Sequence, residues 1–242
     1  MKTFLSLSFI FVLGCSFGYI IELIFRRVVH KKWINPGFLS GPCLPIYGTG
    51  VVVLYLICSM EYPFISSPAI KTVFIIAGIT VSMTVIEYLT GLFFVKIFNV
   101  RLWDYSDRWG NLQGIICPLF SFIWGAIGAA YYFLLHPAVT VAAEWISANP
   151  EFAVFVGMYL GVFFVDVGYS FNIVAKMKRF AEQHKILVRF EEVKLSIRLQ
   201  AEKLKKRSHF IFAFLSPSGL KAELESYRER RQKARSDDGR NN

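Results

Sequence analysis

The sequence predicts an all-α, polytopic transmembrane helical bundle of about five spans, followed by a cytoplasmic C-terminal helix. Three observations predict it. The 242 residues are 55% hydrophobic and only 18% charged, where a soluble domain carries roughly 25% charged residues. The apolar residues gather in windows close to the ~20 residues that a helix needs to cross a bilayer core. The basic residues gather between alternate windows and after the last one, which is the bias of cytoplasmic loops.

The elements follow in order. Residues 3–25 are apolar except for Glu22. Residues 45–60 form a shorter window that needs its Gly-rich start to complete a crossing. Residues 69–98 form a long window interrupted by Glu87 and Lys96. Residues 114–135 are apolar throughout, and residues 152–174 hold one acid, Asp166. Each window ends near Pro, Gly or a charge, as helix stop signals require. Lys2 before an apolar run has the makings of a secretory signal, but the run continues through Ser16–Phe25 with no polar mature start, so cleavage is not expected.

Charge sets the domain boundary and the orientation. Residues 1–173 hold nine Lys/Arg against eight Asp/Glu, a net of +1, and residues 174–242 hold eighteen against nine, a net of +9. Residues 1–174 are therefore read as the transmembrane domain and 175–242 as a basic tail. The first loop carries Arg26, Arg27, Lys31 and Lys32, and the third carries Lys96, Arg101 and Arg108. The second offers Glu61 and Lys71, the fourth Glu144 and Glu151. The N-terminus is expected outside the cell membrane, with loops one and three and the tail in the cytoplasm. Topology alone explains the basic tail, so nucleic acid is not an expected partner, whereas membrane lipid is. Lys176–Arg207 spaces its apolar residues as an amphipathic helix does, suited to anionic lipid or a docked partner.

Cys15, Cys43, Cys58 and Cys117 form no CxxC pair, and no His stands at metal-ligand spacing from them, so they read as reduced thiols or apolar filler and imply no zinc site. No cofactor is implied.

The informative residues interrupt the apolar helices. Glu22, Glu87 and Asp166 lie on spans that run in the same direction, which places all three in the inner half of the bilayer. A mid-bilayer carboxylate costs on the order of 2.5–3.5 kcal/mol on insertion scales. It persists where it faces protein, water, a cation or a proton. Structural readings stand beside the functional one: Glu22 snorkelling beside Arg26 and Arg27, and Glu87 or Asp166 as protonated acids bonded between helices.

The segments after spans one and three share a grammar. The first runs from Asn35 through Gly37, Gly41, Cys43 and Pro45 to Tyr47-Gly48. The second runs through Trp103-Asp104-Tyr105-Ser106 and Asn111 to Cys117-Pro118 and Trp124-Gly125. Each unit has a membrane acid, a cytoplasmic loop with Asn and Gly, a Cys near a Pro, and an aromatic-Gly pair entering the next helix. Two tandem helical hairpins related by a pseudo-two-fold axis along the membrane normal would produce this pattern, an arrangement used by transport folds. Gly and Pro at this density can bend the chain back into the membrane, where non-helical backbone survives only against protein or water; a tight surface turn is the plainer alternative.

Together Glu22, Asn35–Gly50, Glu87-Tyr88-Leu89-Thr90-Gly91, Trp103–Ser106 and Asn111–Trp124 resemble the CmpB-like membrane proteins, the ABC-transporter permease family of type IV. The resemblance covers roughly Phe17–Trp124 and implies a multi-span transport permease, with no substrate or catalytic residue attached. The chain lacks the GxxxxGK[ST] phosphate loop, so an ABC reading needs a separate nucleotide-binding subunit. Five spans make a small permease, so a homo-oligomer is expected.

Three functions compete. The first is a transport permease or ion/proton pathway with a cytoplasm-facing acidic site drawn from Glu22, Asn35, Gly37, Gly41, Tyr47, Glu87, Trp103, Asp104, Tyr105, Asn111 and Asp166. The second is a membrane scaffold that recruits a partner through its tail. The third is a lipid-acting enzyme in which Asp104, Asp107, Asn111 and the inner acids would gather a hard divalent cation near the lipid headgroups. No HExxH or similar motif supports an enzyme, and a non-enzymatic role is favoured.

Overall fold

A computed structural model describes residues 2–31, 33, 35–184, 187–190, 192–193 and 225–229. The described chain is almost entirely helical: α1 (Lys2–His30), α2 (Pro45–Ser59), α3 (Pro68–Phe98), α4 (Pro118–Ala130), a π-helical turn (Tyr131–Leu135), α5 (His136–Ala148) and α6 (Ala153–His184). Two two-residue strands, β1 (Val100–Arg101) and β2 (Val188–Arg189), pair in parallel. Lys2–Val29, Pro68–Phe98, Pro118–Ala148 and Pro150–Gln183 are long and apolar enough to cross a membrane, and Pro45–Ser59 is a shorter apolar helix.

The helix starts follow from proline. Pro45, Pro68 and Pro118 each stand in the first turn of a helix, where the missing N–H is no loss and the fixed φ suits the helix. α3 stops at Asn99, whose left-handed φ of 53° lets its N–H cap the last turn.

Two antiparallel hairpins, α1–α2 and α3–α4, form the frame, and small residues let each pair close. A Cβ added to Gly14 would lie 2.9 Å from the Cα of Gly48, and one added to Gly125 would lie 2.8 Å from Thr80 Oγ1. Such close approach is how helices associate in lipid, where packing replaces the hydrophobic effect. A Cβ on Gly48 would meet the Phe11 carbonyl oxygen at 2.8 Å. That atom is backbone and cannot yield, so Gly48→Ala is expected to destabilise the protein by about 1–3 kcal/mol, read as a lower melting temperature in detergent.

These contacts fix the heights of the helices. α2 enters beside the middle of α1: the Leu44 N–H donates to the Cys15 carbonyl at 3.3 Å. α1 then runs on about 24 Å past Gly14 at 1.5 Å per residue. α3 likewise runs about 21 Å past Thr84, whose hydroxyl meets Ser121 of α4 at 3.0 Å. Segments 35–44 and 99–117 must therefore climb back along the helix that precedes each. They are return segments, and each delivers the chain to the level of a membrane acid.

α6 packs on this frame. The rings of Phe94 and Phe171 stack at 6.1 Å with an interplanar angle of 7°, which puts Asp166 and Glu87 within about 3 Å of one another in height. Below them Phe94, Val100, Val174, Met177, Val188, Phe190 and Val193 form a buried apolar cluster.

Two elements differ from the sequence reading. The helix expected to end at Leu135 continues to Ala148. Pro137 reads as a stop, but the π turn before it lets the His136 N–H reach the Tyr131 carbonyl, and a π turn is how a helix absorbs an irregular residue without ending. Glu144 is thus helical and exposed rather than in a loop. Of the amphipathic helix expected over Lys176–Arg207, the described residues are helical to His184; Val188 then pairs with Val100 and closes the cluster, residues 190 and 192–193 are helical again, and residues 194–207 lie outside the described residues. Ile186, Ile197, Leu204 and the apolar Phe210–Leu215 patch lie outside the described residues.

Candidate functional site

Glu22 lies two helical turns beyond Gly14, and Glu87 two turns beyond Thr80. Each acid therefore sits just below the close contact of its own hairpin, facing the start of the next helix. In the first hairpin the Tyr47 hydroxyl donates to Glu22 Oε2 at 2.8 Å, and Arg26 Nε donates to Oε1 at 3.0 Å. In the second, Trp124 Nε1 donates to Glu87 Oε2 at 3.0 Å, and the Tyr105 hydroxyl donates to Oε1 at 3.0 Å. Tyr47 and Trp124 are the aromatic members of the two aromatic-Gly pairs. Gly48 and Gly125, which follow them, allow the helices to approach closely enough for the bond.

The two hairpins meet here. The rings of Tyr47 and Trp124 touch edge to face, 6.4 Å between centroids. Glu22, Tyr47, Trp124, Glu87 and Tyr105 thus form one continuous group of hydrogen bonds and ring contact. Tyr105 is held in place by stacking on Phe120 at 4.2 Å and 11°. The two acids differ. Glu22 has a cationic partner, whereas Glu87, 5% exposed, is held by two neutral donors. A buried carboxylate with neutral partners is the better placed of the two to exchange a proton or a cation.

The remaining candidates hold the return segments. Asp166 lies apart from the aromatic group. It accepts from the backbone N–H of Gly41 at 2.9 Å and of Ser40 at 3.2 Å, and from the Ser170 hydroxyl at 3.2 Å. Asn35 is buried and donates to the Ser40 carbonyl at 3.0 Å. Gly37 turns the segment at φ +74°, a conformation open mainly to glycine. Trp103 Nε1 donates to the Ile115 carbonyl at 2.9 Å, and Asn111 Nδ2 donates to the Arg108 carbonyl at 2.8 Å. These bonds shape the loops around the acids.

Asp104 ties the second return segment to the chain after α6. It accepts from Arg101 at 2.6 Å and the Ser106 hydroxyl at 2.5 Å, and pairs with Arg189 at 2.7 Å. Burial opposes its charge, but the bonds from Ser106 and Arg101 outweigh burial and hold its carboxyl below the usual range. A lowered value means that its contribution to stability is complete above the ordinary Asp range, near pH ~4, and is lost as pH falls below it. Asp104→Asn should therefore flatten the acid limb of a melting-temperature profile. With two guanidinium groups on its oxygens, Asp104 has little capacity left for a cation. Among the described residues no three His, Cys, Asp or Glu side chains gather as a metal site.

Sequence reasoning missed several participants. Trp124 was visible only as half of an aromatic-Gly pair. Arg26, already read beside Glu22, bonds it one turn on; Ser170 bonds Asp166 at the same spacing, whereas Ser40 and Arg189 reach their acids across long stretches of chain. All four cysteines are free thiols.

The sequence model of the family described as "Putative ABC-transporter type IV" matches residues 9–171. That stretch holds both hairpins, both return segments and Asp166. No curated protein and no solved structure matches the chain.

Proposed function

The chain belongs to the type IV ABC-transporter family and is a multi-pass, transport-related membrane protein, and from that premise we propose that it is a permease subunit carrying a proton or small cation past the Glu22–Glu87 group. The single observation that supports this most is the meeting of two membrane carboxylates, each bonded by the aromatic that opens the next helix, through the touching rings of Tyr47 and Trp124. A purely structural acid needs no such convergence.

In this reading all five apolar windows cross the cell membrane, α2 with the help of its return segment. The N-terminus lies outside. The return segments and the tail face the cytoplasm, where Arg26, Arg27, Lys31, Lys96, Arg101 and Arg108 cluster. The chain's missing phosphate loop is supplied by a separate nucleotide-binding subunit that docks on the surface joined by Asp104 and Arg189. The hairpins form a tandem repeat about an axis along the membrane normal.

A gradient-driven proton-flux assay in proteoliposomes tests the reading, with monovalent cations assayed in parallel. Glu22→Gln keeps the Tyr47 bond but loses the charge, and flux should fall at least about tenfold, equivalent to about 1.4 kcal/mol. Wild-type flux in that variant would sink the proposal. Native co-purification with mass spectrometry tests the partner: an ATP-hydrolysing chain should accompany the wild type and be lost in Asp104→Arg.

A further inference from the structure

A second polar group lies well away from the acids, at the π turn between α4 and α5. Tyr131 is 3% exposed, and its hydroxyl has no hydrogen-bond partner among the described residues; His136 Nδ1 is likewise buried and unpartnered among them. The two rings stand 5.8 Å apart, and Tyr55 of α2 stands 5.9 Å from His136 on the other side. A buried polar atom without a partner costs about 1–3 kcal/mol, and two of them on rings 5.8 Å apart point to a common ligand. Pro137 carries no N–H, so one carbonyl of the preceding turn also loses its helical donor.

The geometry points to a site for a single water molecule between Tyr131 and His136. Water fits the chemistry of these groups: it donates to Nδ1 in the tautomer that carries its proton on Nε2, or accepts from it in the other, and accepts from the tyrosine hydroxyl, satisfying both with one molecule, as buried waters do. No charged side chain faces the ring among the described residues. Its neighbours are Tyr55, Tyr131 and, near Tyr131, Cys58, so an ion has no counter-charge here.

The position gives the site a role. Gly128 packs on Ile79, which places Tyr131 roughly 16 Å from Glu87 along the bundle. Leu54, Ile79 and Met83, all buried, fill the space between. The site would hydrate the route on the side of that apolar layer opposite the carboxylates, so that protons reach a hydrogen-bonded station before the layer. This role rests on the proton-pathway reading; the existence of the water site does not.

Histidine-labelled protein in lipid nanodiscs tests the site by NMR, with His136→Gln identifying the resonance. A cross-peak between water and the His136 ring is expected, with loss of most of its intensity in the near-isosteric Tyr131→Phe. A wild-type ring without a water cross-peak, or one that Tyr131→Phe leaves at full intensity, overturns the inference. A normal cross-peak in a protein whose flux survives Glu22→Gln would leave the water site standing and remove the pathway reading.

Discussion

Glu87→Ala is expected to lower the stability of the folded protein by about 2–6 kcal/mol. The substitution leaves Trp124 Nε1 and the Tyr105 hydroxyl without an acceptor, each a buried donor whose isolation costs about 1–3 kcal/mol. The cavity adds to this, because Glu87 is buried between α3, α4 and the second return segment. Glu87→Gln retains one acceptor oxygen and should cost about 1–2 kcal/mol. Thermal unfolding in a mild detergent checks the ranking. Equal melting temperatures for the two variants would mean that the donors find other partners.

Asp166→Ala should release the first return segment. The carboxylate receives two backbone N–H bonds, from Ser40 and Gly41, and bonds to a charged acceptor contribute about 1.5–3 kcal/mol each. A net loss of about 3 kcal/mol is expected once the desolvation of the carboxylate is recovered. The consequence is local. Cys43 is buried directly behind this turn with Cys15 and Leu39, so a maleimide should label Cys43 faster in the variant when the other three cysteines are replaced by Ala. Unchanged labelling would mean that Asn35 and the packing of Leu39 hold the segment alone. Asp166→Asn, which keeps one acceptor, should fall between the two.

Much of the frame is written locally. Pro45, Pro68 and Pro118 mark helix starts, apolar runs mark the helices, and the acids stand out because the bilayer makes them costly. The grammar of acid, Asn, Cys-Pro and aromatic-Gly points to Tyr47 and Glu87, and in both hairpins the aromatic of the aromatic-Gly pair bonds the acid. What the sequence could not carry is partnership over distance. Asp166 looks like a third member of an acidic site, yet besides Ser170 one turn on its ligands are backbone amides on a segment 125 and 126 residues away, and backbone amides leave no mark in the pattern of side chains. Asp104 looks like a metal ligand until Arg189 arrives from beyond α6. Pro137 looks like a stop because the stop rule assumes an α turn, and a π turn relieves the clash that the rule depends on.

The two acids that meet and the one that does not are therefore separable by experiment, although Glu87 and Asp166 lie within about 3 Å of one another in height. Proton flux measured side by side in proteoliposomes for Glu22→Gln, Glu87→Gln and Asp166→Asn, at matched reconstitution and with folding confirmed by melting, is the most direct test. The account predicts that flux is lost in the first two and largely retained in the third. Retention of flux in Glu87→Gln would contradict it.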